Sequence, residues 1–260
     1  GQTTTWTEGN FTVQAGTEFT NEAGATVDIS ADSHLLHSTG TFDNDGEVNV
    51  NLSDNAQNFF ISVSNLEHDG DLNLNTGKLN LDSTNANYGA TSTVTGATGT
   101  EIEFGAGTHD FAAGSVLTAD HLEVDSGTVN ISGTFTPTDG KSLQVNAGTL
   151  DFKAGSTITG NALGDVGMIN STLRLDTGSG DKTFNTLSIL GSLGDLEGAD
   201  NVDVTGLTTF NFGNMSGSGT TIALGGLDMD TNNSKSLRDS RLLVNAAGQT
   251  ASWTDGQFQI

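Results

Sequence analysis

The sequence predicts an all-β chain, a right-handed parallel β-helix (β-solenoid) of roughly 10–12 coils of about 21–24 residues each. Three observations carry that expectation. Apolar and polar residues alternate in short runs along the chain, turns built on Gly with Asn, Asp or Ser separate the runs, and equivalent apolar positions return after about one coil. Helical periodicity never extends beyond a few residues.

The first coils are read from three parallel segments: Phe19-Thr-Asn-Glu-Ala-Gly-Ala-Thr-Val-Asp-Ile29, Phe42-Asp-Asn-Asp-Gly-Glu-Val-Asn-Val50 and Leu66-Glu-His-Asp-Gly-Asp-Leu-Asn-Leu74. A second family follows. Asp71-Leu-Asn-Leu-Asn-Thr-Gly-Lys-Leu-Asn-Leu-Asp82 aligns with His121-Leu-Glu-Val-Asp-Ser-Gly-Thr-Val-Asn-Ile-Ser132, and both align with Ser142-Leu-Gln-Val-Asn-Ala-Gly-Thr-Leu-Asp-Phe-Lys153. Each is strand, turn, strand, with Gly expected to supply a positive φ. If coils stack, the inward set is Phe11, Val13, Val27, Ile29, Val48, Val50, Leu72, Leu74, Leu79, Leu81, Ile102, Phe104, Leu122, Val124, Val129, Ile131, Leu143, Val145, Leu150, Phe152, Leu173 and Leu175. Thr, Asn, Asp, Glu and Gln between them suit an exposed strand face. At about 4.8 Å per coil the rod is roughly 50 Å long.

Alternation blurs over residues 162–226, which read as less regular coils or loops around Leu190-Gly-Ser-Leu-Gly-Asp-Leu196 and Leu224-Gly-Gly-Leu227. The ends echo each other: Thr4-Thr-Trp-Thr-Glu-Gly-Asn-Phe-Thr-Val13 resembles Ala251-Ser-Trp-Thr-Asp-Gly-Gln-Phe-Gln-Ile260. Residues 1–260 therefore read as a single solenoid segment, one unit of a longer tandem array excised from a larger chain, whose partners include neighbouring repeats.

Charge narrows the function. Thirty-two acidic residues against eight basic ones give a formal charge of −24, which repels nucleic-acid phosphate and anionic headgroups. No nucleic-acid partner is expected, and no apolar stretch approaches a membrane span. Cys is missing, so disulfides, thiolate metal sites and cysteine nucleophiles are excluded.

Candidate sites are weighed against plainer readings. Asp43-Asn-Asp-Gly46 and His68-Asp-Gly-Asp71 look like calcium loops but lack the closing acidic ligand of an EF-hand, so they read as turns, with incidental Ca²⁺ binding specified by no motif. His34, His37, His68, His109 and His121 are scattered and read as solvent-exposed. Arg174 with Asp176 and Asp181 is the set a polysaccharide-cleaving β-helix would need on one face; a groove lined by three or more carboxylates with Arg174 would favour that class. Thr3-Thr-Thr5, Thr91-Ser-Thr-Val-Thr95 and Thr220-Thr221 are not expected to recur in register as a Thr array, and Tyr88 stands alone as a glycan-stacking candidate. No residue is assigned as catalytic, cofactor-binding or metal-binding, and no cofactor is expected.

Gly-Thr-Phe-x-Asn-x-Gly-x-Val-x-Val, which ends at Val50, and Trp-Thr-x-Gly-x-Phe, which begins at Trp6 and again at Trp253, resemble the β-helix stalks of filamentous-haemagglutinin-like and autotransporter-type bacterial adhesins. The likeness covers Trp6 to about Ile158 and weakens from Asn161 to Ser240. It implies an exported or outer-membrane-associated rod with a structural or adhesive role and no enzymatic activity, its partner a cell-surface or matrix glycan or protein. A polysaccharide-binding or polysaccharide-degrading β-helix is the alternative.

Overall fold

The computed structural model describes residues 1–138 and 142–260. Among these, every regular element is a β-strand except one 3-10 turn at Thr159–Asn161. The strands fall into three sheets in which each pairs in parallel with its counterpart one coil away. The first sheet runs through eight strands from Thr3–Trp6 to Thr157–Ile158. The second begins at Phe11–Val13 and has fifteen strands; the third has twelve, from Glu18–Asn21 to Gln257–Gln259. One third-sheet strand per coil gives twelve coils.

Alternation builds this directly. A period of two puts every second residue inside, and parallel pairing puts that residue over its equivalent in the next coil. On the first sheet Val27, Val48, Leu72, Val94, Leu117, Phe135 and Ile158 form one ladder. On the second, Phe59, Leu79, Ile102, Leu122, Leu143, Val166 and Leu187 form another. All of these are almost fully buried. Every residue of the expected inward set is buried except Phe11, which stacks on Leu36 but is 41% exposed at the open mouth of the first coil.

Frame and turn chemistry differ from expectation in two respects. Asp71–Thr76 and Lys78–Leu81 lie on the first and second sheets, whereas His121–Val124 and Thr128–Ile131 lie on the second and third. The aligned segments are thus one face out of phase, because each corner repeats the same strand–turn–strand chemistry. The end echo slips in the same way: Trp6 and Phe11 sit on the first and second sheets, whereas Trp253 follows the second-sheet strand Ala251–Ser252 and Phe258 lies on the third. Local geometry is nevertheless shared, with ring centroids 6.0 Å apart in both pairs and each indole N–H donating to a turn carbonyl. The second difference concerns Gly: Gly77 and Gly127 have the positive φ expected of these turns, but Gly148 does not. Gly70 has no positive φ; it is there because a Cβ would lie 2.0 Å from the carbonyl oxygen of Gly46 in the coil below.

The coils of residues 162–226 remain in the stack. The first sheet ends at Ile158, and the second-sheet strands Ala162–Met168 and Lys182–Ile189 lengthen to seven and eight residues across that corner. Lys182–Ile189 then pairs with two separate strands, Val202–Val204 and Thr208–Phe210, and the corner reopens. Buried cations hold these wider turns. Lys182 donates to Asn161 Oδ1 at 3.1 Å and to the Ser179 and Gly180 carbonyls; Arg241 reaches Thr221 Oγ1 and the Gly198 and Asp200 carbonyls.

Candidate functional site: an ionic strip on the third sheet

Register builds the principal site. Asp110, Asn130, Asp151, Arg174 and Glu197 pair successively on the third sheet, each between two inward residues, and so form a column on the rod's outer face. Asn130 Nδ2 donates to Asp110 Oδ1 at 2.7 Å. Asp151 Oδ2 accepts from Lys153 Nζ at 2.6 Å and Arg174 Nη1 at 3.2 Å, while Arg174 Nε donates to Glu197 Oε2 at 2.8 Å. The Glu197 hydrogen bond and the two flanking carboxylates push the Arg174 guanidinium pKa up, so it stays charged. Asp151 is buried, and its Oδ1 has no protein partner.

Above this column opens a groove of about 430 Å³ lined by Arg174, Asp176, Glu197, Ser216 and Asp239. It meets the criterion of three carboxylates with Arg174, though Asp181 is not among them. That residue precedes the second-sheet strand and accepts from Asn201 Nδ2 at 3.0 Å. Asp176 is held at the rim by the Ala199 N–H, 2.8 Å away. Asp151, Lys153, Glu197 and Asp239 were not singled out from sequence. A usable signal existed: Asp151, Arg174 and Glu197 are each 23 residues apart, one coil.

A second cluster lies on the second sheet. Ligand atoms of Glu101, His121 and Glu123 all lie within 4.8 Å of one another, an oxygen–nitrogen donor set of the kind that suits a divalent transition metal. Lys78 Nζ lies 3.0 Å from Glu101, and Ser142 Oγ contacts His121 Nδ1. Partial burial, then neighbouring carboxylates, pushes Glu103 and Glu123 upward.

The two Asx-Gly loops are turns entered by strands whose last side chains point into the core: Asn44 and His68 are 1% and 2% exposed. Asp43 stays on the outer face, its carboxyl pushed up by partial burial and by Asp45, Glu18, Glu67 and Asp69. The reading of all five His as exposed is therefore corrected, because His68 and His109 lie at inward parity and are buried. Tyr88 is buried too, stacked on Phe111 with centroids 3.9 Å apart. Thr forms no array through every coil, but it recurs locally: Thr93, Thr134 and Thr157 share a first-sheet column broken by Val116, beside Thr95, Thr118 and Thr136, whereas Thr220 and Thr221 lie on the second sheet. Toward the N-terminus that second column gives way to Asp28, Asn49 and Asn73.

Fold and surface together define a parallel β-solenoid with an acidic exterior. Set against protein-family models, curated proteins and solved structures, the chain matches none.

Proposed function

We propose that this chain is a structural or adhesive rod segment of a large, repetitive, exported bacterial surface protein. The observation that supports this best is the coil-on-coil pairing through all twelve coils, which makes length, set at about 4.8 Å per coil, the property the sequence specifies most strongly. An acidic exterior suits such a rod, since like charge opposes association between neighbouring molecules. In the same reading the chain is not an enzyme, needs no cofactor, and is followed or preceded by similar repeats. Small-angle scattering on one copy and on two fused copies tests it. The maximum dimension is expected to rise by about 58 Å at constant cross-section, and a compact two-copy particle would overturn the proposal.

The Arg174 groove favours a second reading, a polysaccharide-binding face. A glycan array read alongside product analysis separates the two. Binding lost in Arg174→Ala supports the second reading, and sugar cleavage by the wild type would make the chain an enzyme.

A further inference from the structure

The interior carries a polar column where the alternation calls for apolar residues. Asn21, Asn44, His68 and Tyr88 stack in register at the last inward position of successive third-sheet strands, and His109 lies at the other inward position one coil further. Asn21 Nδ2 donates to Asn44 Oδ1 at 2.7 Å and to the Glu47 carbonyl at 3.1 Å. Asn44 Nδ2 in turn lies 2.9 Å from His68 Nδ1 and donates to the Asp71 carbonyl at 3.3 Å. His68 Nε2 lies 3.0 Å from the Thr93 carbonyl. Asn21, Asn44 and His68 thus each meet the first carbonyl of the next first-sheet strand, and those contacts fix the orientation of both amides.

The imidazole state follows. Nε2 of His68 must carry hydrogen to meet a carbonyl, and Nδ1 must be bare to accept from Asn44. His109 repeats the arrangement, with Nε2 2.9 Å from the Ala106 carbonyl and Nδ1 3.2 Å from the Tyr88 hydroxyl. A proton added at His68 Nδ1 would face a donor that cannot turn round without giving up the Asp71 and Glu47 carbonyls. One added at His109 would force the Tyr88 hydroxyl to accept and leave its own hydrogen buried without a partner.

We propose that His68 and His109 form an acid-sensitive joint in the N-terminal half of the rod, closed while both imidazoles are neutral and opened when either is protonated. The charged groups acting on His68 are Asp69 and Asp71, and on His109 Asp110; all three favour the imidazolium, but burial outweighs them and lowers both pKa values, that of His109 to about 4. The remaining neighbours, Asn44, Tyr88 and Phe104, are uncharged. With the folded pKa below the unfolded value of about 6.5, the unfolded chain binds the extra proton, so stability falls as pH drops below about 6.5. Between pH 7 and pH 4.5 His109 alone shifts the opening equilibrium by about sixtyfold.

Hydrogen exchange on the whole chain at pH 7 and pH 4.5, corrected for intrinsic rates, reads the joint. Asn65–His68, Asn85–Tyr88 and Thr108–Phe111 are expected to lose protection on acidification before Thr149–Phe152 and Thr172–Leu175 do. In the variant His68→Asn/His109→Gln each amide reproduces one donor and one acceptor without titrating, and the differential loss is expected to disappear. Equal loss in wild type and variant, or unchanged protection of the three strands at pH 4.5, overturns the proposal. Where the variant does not fold, imidazole ¹⁵N shifts of the wild type decide: both rings neutral with Nε2–H at pH 6 support it, and a charged ring at that pH refutes it.

Discussion

At the scale of single residues, stacking imposes a stricter rule than burial does. An inward side chain must fit the equivalents above and below it, and a corner residue must clear the coil beneath. Leu122, 1% exposed, sits between Ile102 and Leu143, so Leu122→Ala leaves a void that two neighbouring coils share. A loss of about 2–5 kcal/mol is expected from urea denaturation. Gly70 tests the corner rule. Gly70→Ala drives a methyl against the Gly46 carbonyl and is expected to cost about 2 kcal/mol or more. The same change at Gly155, which has φ +86° and open space around it, carries only conformational strain of about 1 kcal/mol. Equal losses at the two positions would show that clearance between coils is not what selects Gly70.

At the scale of strands and corners, polar pairing does what cations do in less acidic proteins. On the outer faces, Asn amides donate to carboxylates in the preceding coil: Asn49 to Asp28, Asn87 to Glu67, Asn130 to Asp110 and Asn201 to Asp181. Inside the wide corner of residues 176–181, Lys182 takes that role, wholly buried, with Asp200 Oδ2 3.7 Å from its ammonium. Lys182→Met should strip the Ser179 and Gly180 carbonyls of their donor and cost about 3 kcal/mol. Hydrogen exchange is expected to rise in Lys182–Ile189 and Val202–Val204 while Val27 and Val48 keep their protection. This is also where legibility in the sequence ends. Alternation alone places Val27, Leu79, Val124 and Leu173 inside, because an aliphatic residue at inward parity has one reasonable fate. It cannot place Asn44, His68 or Lys182, because a polar residue at the same parity reads equally well as turn or surface. Nor does it show which corner a segment forms, since strand–Gly-turn–strand recurs at all three; Glu101 meets His121 only through a register that pairing decides.

At the scale of the whole molecule, a charge of −24 along a rod makes self-repulsion a property of the stack. Where acids pair in register, as Glu103 with Glu123 and Asp43 with Glu67, their backbones lie about 5 Å apart, within the screening length of about 10 Å at 0.1 M salt. Asp43, Asp82, Glu103, Glu123 and Asp195 all have raised pKa values, through partial burial first and neighbouring acids second. A raised carboxyl pKa means that the folded state holds its proton to higher pH than the unfolded chain. These groups therefore weaken the fold when ionised and relieve it as pH falls through their folded values, opposite in sign to His68 and His109. Salt distinguishes the contributions. Screening reduces repulsion between exposed carboxylates but leaves desolvation, and the buried imidazoles, nearly untouched. Raising NaCl from about 10 mM, where the screening length is about 30 Å, to about 500 mM is expected to raise the urea midpoint at pH 7. The gain is expected to shrink at pH 4, where much of the charge is gone. A midpoint indifferent to salt at pH 7 would mean that the Asn–carboxylate columns already neutralise the repulsion locally, and that the acidic exterior acts between molecules and not within one.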